Sequence, residues 1–127
     1  MSGRILPAPP VTPESAPFFE AAAAGKFLLR RCTACGRAHW YPRAVCPFCF
    51  GATAWEEASG RGVIYSFSVM RRTAPPYAIG YVTLDEGPTM MTNLVECDFD
   101  ALRIGQLVRL VLTASEGGVP VPCFQPL

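Results

Sequence analysis

The sequence predicts a mainly β protein in which a short N-terminal helix precedes a zinc ribbon and a small five-stranded barrel. Two observations carry this prediction. Four of the cysteines form two CxxC pairs within residues 32–49, and the segments after them alternate apolar with polar residues, as strands do. We therefore expect an N-terminal segment and helix over residues 1–26, a ribbon over residues 27–57 and a barrel over residues 58–127.

The composition limits the classes of function. The chain has 127 residues, half of them apolar, a net charge of +1 and a pI near 7.6. A nearly neutral protein has no overall attraction to nucleic acid or to an anionic membrane. Prolines interrupt the first residues, unlike the apolar core of a secretory signal, and no later stretch approaches the roughly 18 apolar residues of a membrane span. We expect a cytoplasmic protein.

The segment that ends at Gly25 has the signals of a helix, namely a capping residue, an early proline and an alanine-rich run. Its start has two alternatives. A cap at Thr12 would place Pro17 where a helical amide has to donate, whereas a cap at Ser15 places Pro17 in the first turn, where proline is tolerated. One face of this helix is apolar and packs either on the ribbon or on a partner; it contains Phe18, Phe19 and Ala22.

The clustered cysteines predict a metal site. Cys32 and Cys35 form one pair, Cys46 and Cys49 form the other, and ten residues separate the pairs. Reducing cytosol disfavours structural disulfides, so metal binding or redox chemistry is the usual reason for such clusters. Each CxxC turn supplies two thiolates, and two turns complete a tetrahedral shell around Zn²⁺. Because this shell leaves no open coordination position, the zinc would be structural.

Two other uses of the four thiols stay open. An iron centre of the rubredoxin type has the same four-thiolate geometry, and a dithiol pair could carry out redox chemistry. His39 lies between the two pairs and is a candidate substitute ligand. Since the cysteines already fill the shell, we expect His39 to be a surface or packing residue.

Downstream of the ribbon the sequence predicts three strands, a short helix and two more strands. Residues 62–70 alternate, and we expect the apolar face that contains Tyr65 and Phe67 to point into the core. The predicted order of elements is that of an OB-fold, a small five-stranded Greek-key barrel. Pro120 and Pro122 cannot donate to a ladder, so we expect the last strand at an edge or at a barrel seam.

Three blocks of the sequence resemble a family of small acyl-CoA-associated proteins that have a rubredoxin-like zinc ribbon and a C-terminal OB-fold. The blocks are FFEAAAAGKFLLRRCTACGRAHWYPRAVCPFC, SGRGVIYSFSV and LDEGPTMMTNLVECDFDALRIGQLVRLV, which together cover most of the chain. Two departures are visible. Phe50 replaces the glycine that usually follows the second CxxC pair, where we expect Gly51 to serve the turn, and Cys97 lies near the start of the helix between strands.

The resemblance implies an accessory protein. Members of this family typically join thiolases, lipid-transfer-type thiolase-like lyases, hydroxymethylglutaryl-CoA synthase or acyltransferases in complexes, and some are fused to hot-dog hydratases. Their OB-fold helps to form or stabilise an acyl-CoA site. The resemblance therefore implies a subunit that catalyses nothing by itself, binds a thiolase-like protein, holds structural Zn²⁺ and has coenzyme A or acyl-CoA as its candidate ligand.

The residues themselves agree with a noncatalytic role. No carboxylate pair, Ser/His/Asp set or Gly-rich phosphate loop stands out. Cys97 and Cys123 have no base or cation nearby in sequence, so we expect small buried residues and not nucleophiles. The candidate ligand contacts are Arg71, Arg72 and Tyr77, since two guanidiniums in an OB-fold loop could meet the phosphates of coenzyme A. The alternative is a solvated turn.

Two rival functions stay open, namely nucleic-acid binding and free acyl-CoA binding. Single-strand binding requires a basic groove with outward-facing aromatic platforms. The near-neutral charge and the inward position expected for Tyr65 and Phe67 disfavour it, so we expect neither nucleic acid nor membrane as a partner. Around the ribbon lies a second basic group that we expect to face a protein or solvent; it contains Arg30, Arg31 and Arg43.

Overall fold

A computed structural model describes residues 5–127, which form one helix and eight strands in two sheets. Helix α1 spans Ala16–Ala23. The strands are β1 (Leu28–Cys32), β2 (Ala38–His39), β3 (Thr53–Glu57), β4 (Arg61–Met70), β5 (Tyr77–Leu84), β6 (Thr89–Leu94), β7 (Leu107–Ala114) and β8 (Pro120–Pro126). Within the described range no helix is long and apolar enough to cross a membrane.

Helix α1 begins after Ser15, which is one of the two predicted starts, and Pro17 lies in its first turn. Ser15 bonds to the preceding turn. The Thr12 amide donates to Ser15 Oγ (3.0 Å) and the Ser15 amide donates to Thr12 Oγ1 (3.2 Å). The apolar face of α1 packs within the chain, because Phe18 is fully buried and its ring centroid lies 5.2 Å from that of Trp40. The helix thus folds back onto the ribbon.

The ribbon is a three-stranded antiparallel sheet in the order β2-β1-β3. One CxxC turn follows β1 and the other precedes β3, so both turns lie at the same end of the sheet. Strand β1 is central, and its Arg30 is paired with His39 on one side and Trp55 on the other. The sheet therefore places the four cysteines close together.

The remaining strands form a closed barrel in the order β4-β5-β6-β8-β7, which confirms the predicted OB-fold. A single 3-10 turn at Phe99–Ala101 separates β6 from β7, and Asp98 Oδ1 caps it by accepting from the Asp100 amide (2.9 Å). Strand β8 pairs with β7 along its length but meets β6 through one parallel pair, Leu94 with Phe124. The proline-rich last strand thus lies at the barrel seam, as expected.

One hydrophobic core joins the helix, the ribbon and the barrel. Phe18 of α1, Leu29 of β1 and Phe124 of β8 are all fully buried in it. The ring of Phe27, just before β1, lies 6.1 Å from that of Phe18 and 6.3 Å from that of Phe124. The small barrel therefore shares its apolar interior with the ribbon, which compensates for its limited size.

The expectation that Tyr65 points into the core is wrong. The pairing register of β4 with β5 shifts between Ile64 and Ser66, as it does at a β-bulge. Ile64 is consequently buried (1% exposed) and Tyr65 is 67% exposed, whereas Phe67 packs against the core as expected. A bulge inserts one residue and reverses the faces beyond it, so simple alternation fails at this position.

Candidate metal centre and charge-free barrel face

The ribbon brings four sulfur atoms together. The Sγ atoms of Cys32 and Cys49 are 3.5 Å apart, those of Cys35 and Cys46 are 3.8 Å apart, and all four lie within 4.8 Å of one another. A tetrahedral zinc with Zn–S bonds of 2.3 Å separates its sulfurs by about 3.8 Å. The four cysteines therefore form a zinc-ribbon site whose dimensions fit one ion.

The two CxxC turns, which we call the first and second knuckles, have matching backbone hydrogen bonds. The Gly36 amide donates to the Cys32 carbonyl (3.1 Å), and the Phe50 amide donates to the Cys46 carbonyl (2.9 Å). The backbone is left-handed at both donors, with φ of 78° at Gly36 and 65° at Phe50. The expectation that Gly51 serves the second turn is wrong, because Phe50 itself adopts the left-handed conformation.

Glycine is required at position 51 because there is no room for a side chain there. A Cβ atom at this position would lie 3.0 Å from the Ala34 Cβ and 3.2 Å from the Cys32 Sγ, while the φ of Gly51 is not left-handed. The second knuckle thus approaches the first so closely that a side chain at position 51 would press on a ligand sulfur.

Backbone amides prepare the sulfurs to bind a cation. The amides of Cys35 and Ala34 donate to Cys32 Sγ (3.3 Å each), and these bonds lower the pKa of Cys32 to about 6. At Cys49 the hydrogen bond from the Gly51 amide favours the thiolate, whereas the neighbouring Cys32 sulfur favours the thiol. The net result is that the pKa of Cys49 is raised to about 11. A thiolate disfavours the ionisation of a neighbouring thiol. A bound divalent cation would therefore be needed for all four cysteines to ionise.

Two family models match consecutive parts of the chain. The ChsH2 rubredoxin-like zinc ribbon domain matches residues 19–56, and the ChsH2 C-terminal OB-fold domain matches residues 55–113. A DUF35 domain-containing scaffold protein of Methanothermobacter thermautotrophicus is 34% identical over 89 residues, which are 64% of this chain and 67% of that protein. The chain belongs to the DUF35 family.

Two further similarities extend over nearly the whole DUF35 chain. A probable enoyl-CoA hydratase alpha subunit of Thermomonospora curvata is 33% identical over 129 residues, which cover 96% of this chain but only 40% of that protein. A solved structure described as an Ltp2-ChsH2(DUF35) aldolase has a TM-score of 0.81 at 31% identity and covers 94% of this chain and 98% of that chain. The chain thus spans less than half of the hydratase subunit.

Of the three arginines expected to face a protein or solvent, Arg30 and Arg31 have partners within the DUF35 ribbon. Arg31 Nε and Nη2 donate to the two carboxylate oxygens of Glu56 at 2.9 Å each, and this pairing raises the pKa of Arg31 and lowers that of Glu56. The Arg30 guanidinium lies 4.3 Å from the centre of the Trp55 ring. These side chains brace β1 against β3.

The structure places the three predicted ligand contacts at the β4–β5 connection. Arg71 Nη2 donates to Asp100 Oδ1 at 2.7 Å, and both side chains are mostly exposed. Arg72 is exposed in the same turn, and Tyr77 is half-buried where β5 begins. Because Asp100 already pairs with Arg71, an incoming phosphate would have to compete with that carboxylate.

The single histidine and the two cysteines outside the metal site, Cys97 and Cys123, lack the environment of a catalytic group. His39 is buried in β2, and burial lowers its pKa, which favours the neutral imidazole of a packing residue. Cys97 is half-buried, and burial raises the pKa of its thiol. Cys123 is fully buried at the barrel seam. Nucleophilic cysteines need a lowered pKa and access to solvent, which neither of these two combines.

A feature that the sequence analysis missed is the outer face of β4, β5 and β6. From Gly62 to Met70, and throughout β5 and β6, the sequence contains no charged residue. On this surface, which we call the charge-free face, Tyr65 is 67% exposed, Tyr81 46% and Met91 59%. Tyr81 is paired with Met91 across the strands. Exposed apolar patches of this kind mark interaction sites.

An apolar cavity adjoins the charge-free face. Its volume is about 430 Å³, and its walls come from the N-terminal segment, the ribbon and the barrel. Arg43 and Glu14 stand at the cavity as a loose ion pair (3.9 Å). Ile79 and Met91 belong both to the cavity wall and to the barrel face. The absence of charged residues from these strands can be seen in the sequence, whereas the cavity is formed by segments that are far apart along the chain.

Proposed function

We propose that this DUF35 chain is a noncatalytic accessory subunit of an acyl-CoA-processing complex whose enzyme belongs to the thiolase superfamily. The observation that carries the proposal is the charge-free face with its adjoining cavity. A soluble monomer rarely exposes a continuous apolar surface, whereas aromatic residues and methionine are enriched in protein interfaces. Tyr65, Tyr81 and Met91 are such residues.

The relatives support an enzyme as the partner. One relative is called a scaffold protein, another is called a hydratase alpha subunit, and the similar solved structure is described as an Ltp2-ChsH2(DUF35) aldolase. All three descriptions join this type of chain to a larger assembly or to an enzyme. The choice of a thiolase-like enzyme rests on the family resemblance of the three sequence blocks.

The metal site has a structural role in this proposal. Cys32, Cys35, Cys46 and Cys49 would hold one Zn²⁺ through four thiolates, which leaves no position for substrate. The ion would fix the two knuckles against each other. Its contribution is to the stability of the ribbon and, through the shared core, of the barrel.

The proposal also includes three contacts between this chain and acyl-CoA. Arg71 and Arg72 would meet the phosphates of coenzyme A, and Tyr77 would lie against the adenine. The pairing of Arg71 with Asp100 sets a condition, since the carboxylate has to move or to accept a hydrogen bond from the ligand. A free acyl-CoA-binding protein would use the same residues without a partner enzyme.

Nucleic-acid binding is the second candidate function. The exposed Tyr65 removes one of the two arguments against it. The other argument is stronger, because single-strand binding derives its affinity from cations along the phosphate backbone. A face without lysine or arginine offers no such attraction, so a protein surface is the better occupant.

The experiment that tests this function is purification of the tagged chain from its native cells at moderate salt, followed by mass spectrometry. We expect a thiolase-like enzyme in near-stoichiometric amount, with or without nuclease treatment. Met91→Glu, which places a charge on the charge-free face, should reduce the recovery of the enzyme. Ile104→Glu, at a 70% exposed loop residue, is the matched control. Recovery of the chain alone, or with nuclease-sensitive material, contradicts the proposal.

A further inference from the structure

Phe50 is an unusual residue for its position. Its side chain is 81% exposed, and its backbone is left-handed with φ of 65°. The matching residue of the first knuckle is Gly36, which adopts the same conformation without a Cβ clash. At Phe50 the folded chain therefore combines an unfavourable backbone conformation with a ring that gains little burial. The geometry of the two cysteine turns accounts for the left-handed backbone, but it does not account for an exposed aromatic side chain where glycine would fit without strain. A strained residue that the fold does not require points to a function.

The surroundings of Phe50 form an apolar tip on the ribbon. Val45 is 54% exposed and Phe48 is 49% exposed. Between Ala44 and Ala54 the sequence contains no charged residue. The second knuckle and its two flanking residues thus present three large apolar side chains beside the four-cysteine site, which would hold the turn in place when it binds a metal ion. Side chains that are preorganised in this way lose little entropy when they bind a partner.

A positive charge borders this tip. The Arg37 guanidinium lies over the ring of Phe48, 3.7 Å from its centroid. No carboxylate belongs to the knuckle sequence itself. The charge that complements this arrangement is negative, so a surface that matches it would have an apolar centre and acidic groups at its edge.

We propose that the second knuckle is a docking tip. Phe50, supported by Phe48 and Val45, enters an apolar pocket of the partner enzyme, and carboxylates at the rim of that pocket face Arg37. The inference rests on the proposed function, because its occupant is the enzyme of that complex. It adds a second contact region to the charge-free face and assigns the principal anchor to one residue.

The test uses the full chain and the purified thiolase-like enzyme recovered with it. Binding is measured by calorimetry for the wild type, for Phe50→Gly and for the control Ile104→Ala, whose side chain is 70% exposed in another loop. We expect Phe50→Gly to weaken Kd at least tenfold while its zinc content and thermal midpoint stay equal to or above those of the wild type. Ile104→Ala should bind like the wild type.

The outcomes separate this inference from the proposed function. If the wild type binds the enzyme and Phe50→Gly binds equally tightly, the docking tip is overturned and the accessory role stands. If the wild type does not bind the enzyme at all, both are overturned.

Two further experiments test the geometry and the charge. A photo-crosslinking amino acid at position 50 should attach to the enzyme, and the same group at position 104 should not. Attachment to a second copy of the chain or to RNA would assign the tip to a different occupant and overturn the inference. Arg37→Glu should weaken binding at low salt more than at high salt, and unchanged binding would contradict the acidic rim.

Discussion

The first knuckle, residues 32–35, is followed by Gly36, whereas the second, residues 46–49, is followed by Phe50. The backbone is left-handed at both residues, and both amides donate to the carbonyl of the first cysteine in their turn. The difference in side chain leaves the conformation unchanged. Ligand geometry therefore determines the turn, and glycine only lowers the energy of a conformation that the site imposes.

The next residue in each knuckle differs for a separate reason. Gly51 faces the first knuckle, where a Cβ atom would lie 3.2 Å from Cys32 Sγ, while Arg37 is exposed and leans over Phe48. A glycine beside a metal ligand can thus indicate close packing and not a left-handed backbone. This distinction explains why Gly51 was assigned the wrong role from sequence.

The largest effect should come from removing a ligand from either knuckle. Cys32→Ser and Cys49→Ser should each lose zinc and unfold the ribbon, since structural zinc in small domains contributes on the order of 10 kcal/mol at neutral pH. Both variants should also fail to assemble with the enzyme. Metal content by mass spectrometry and near-ultraviolet circular dichroism would measure this. A variant that retains stoichiometric zinc and native spectra would break the equivalence of the two knuckles.

A smaller difference should separate the two glycines. Gly51→Ala should destabilise the chain by about 1–3 kcal/mol, because the new methyl group overpacks Ala34 and Cys32. Gly36→Ala has open space around it and should cost about 1 kcal/mol through its left-handed backbone alone. Urea unfolding of the zinc-loaded proteins measures both values. The explanation of Gly51 fails if Gly36→Ala proves the more damaging change.

Replacing Phe50 with glycine, the residue that follows the first knuckle, should slightly stabilise the chain. Phe50→Gly relieves a left-handed non-glycine residue, which is worth about 1 kcal/mol, and loses almost no buried area because the ring is 81% exposed. The thermal midpoint should therefore rise by a few degrees. A clear fall would show that the Phe50 ring contributes to the fold, and would remove the main reason to assign it to a partner.

The smallest effect should come from a thiol outside both knuckles. Cys97→Ala should leave zinc content, assembly and turnover of the complex unchanged, because burial raises the pKa of this thiol and keeps it protonated. Steady-state assays of the reconstituted complex measure this. Loss of turnover in a complex that still assembles would make the noncatalytic assignment wrong.

Local signals explain why much of the fold was predictable. The CxxC spacing indicated the ribbon, and a period of two with turn residues indicated the strands of the barrel. Tyr65 was misplaced because a bulge interrupts that period. The cavity was missed because Phe18, Trp40 and Met91 meet only after folding. The charge-free face could have been predicted from the sequence, because β5, β6 and the part of β4 from Gly62 onward contain no charged residue.

The proposed role of this DUF35 chain is to assist an enzyme without performing chemistry alone. The most direct test is acyl-CoA turnover by the purified chain, by the purified thiolase-like enzyme and by the reconstituted complex, each with its measured zinc content. We predict no turnover by the chain alone and the highest turnover by the complex. Turnover by the chain alone, with or without zinc, or full activity of the enzyme without the chain, would contradict this role.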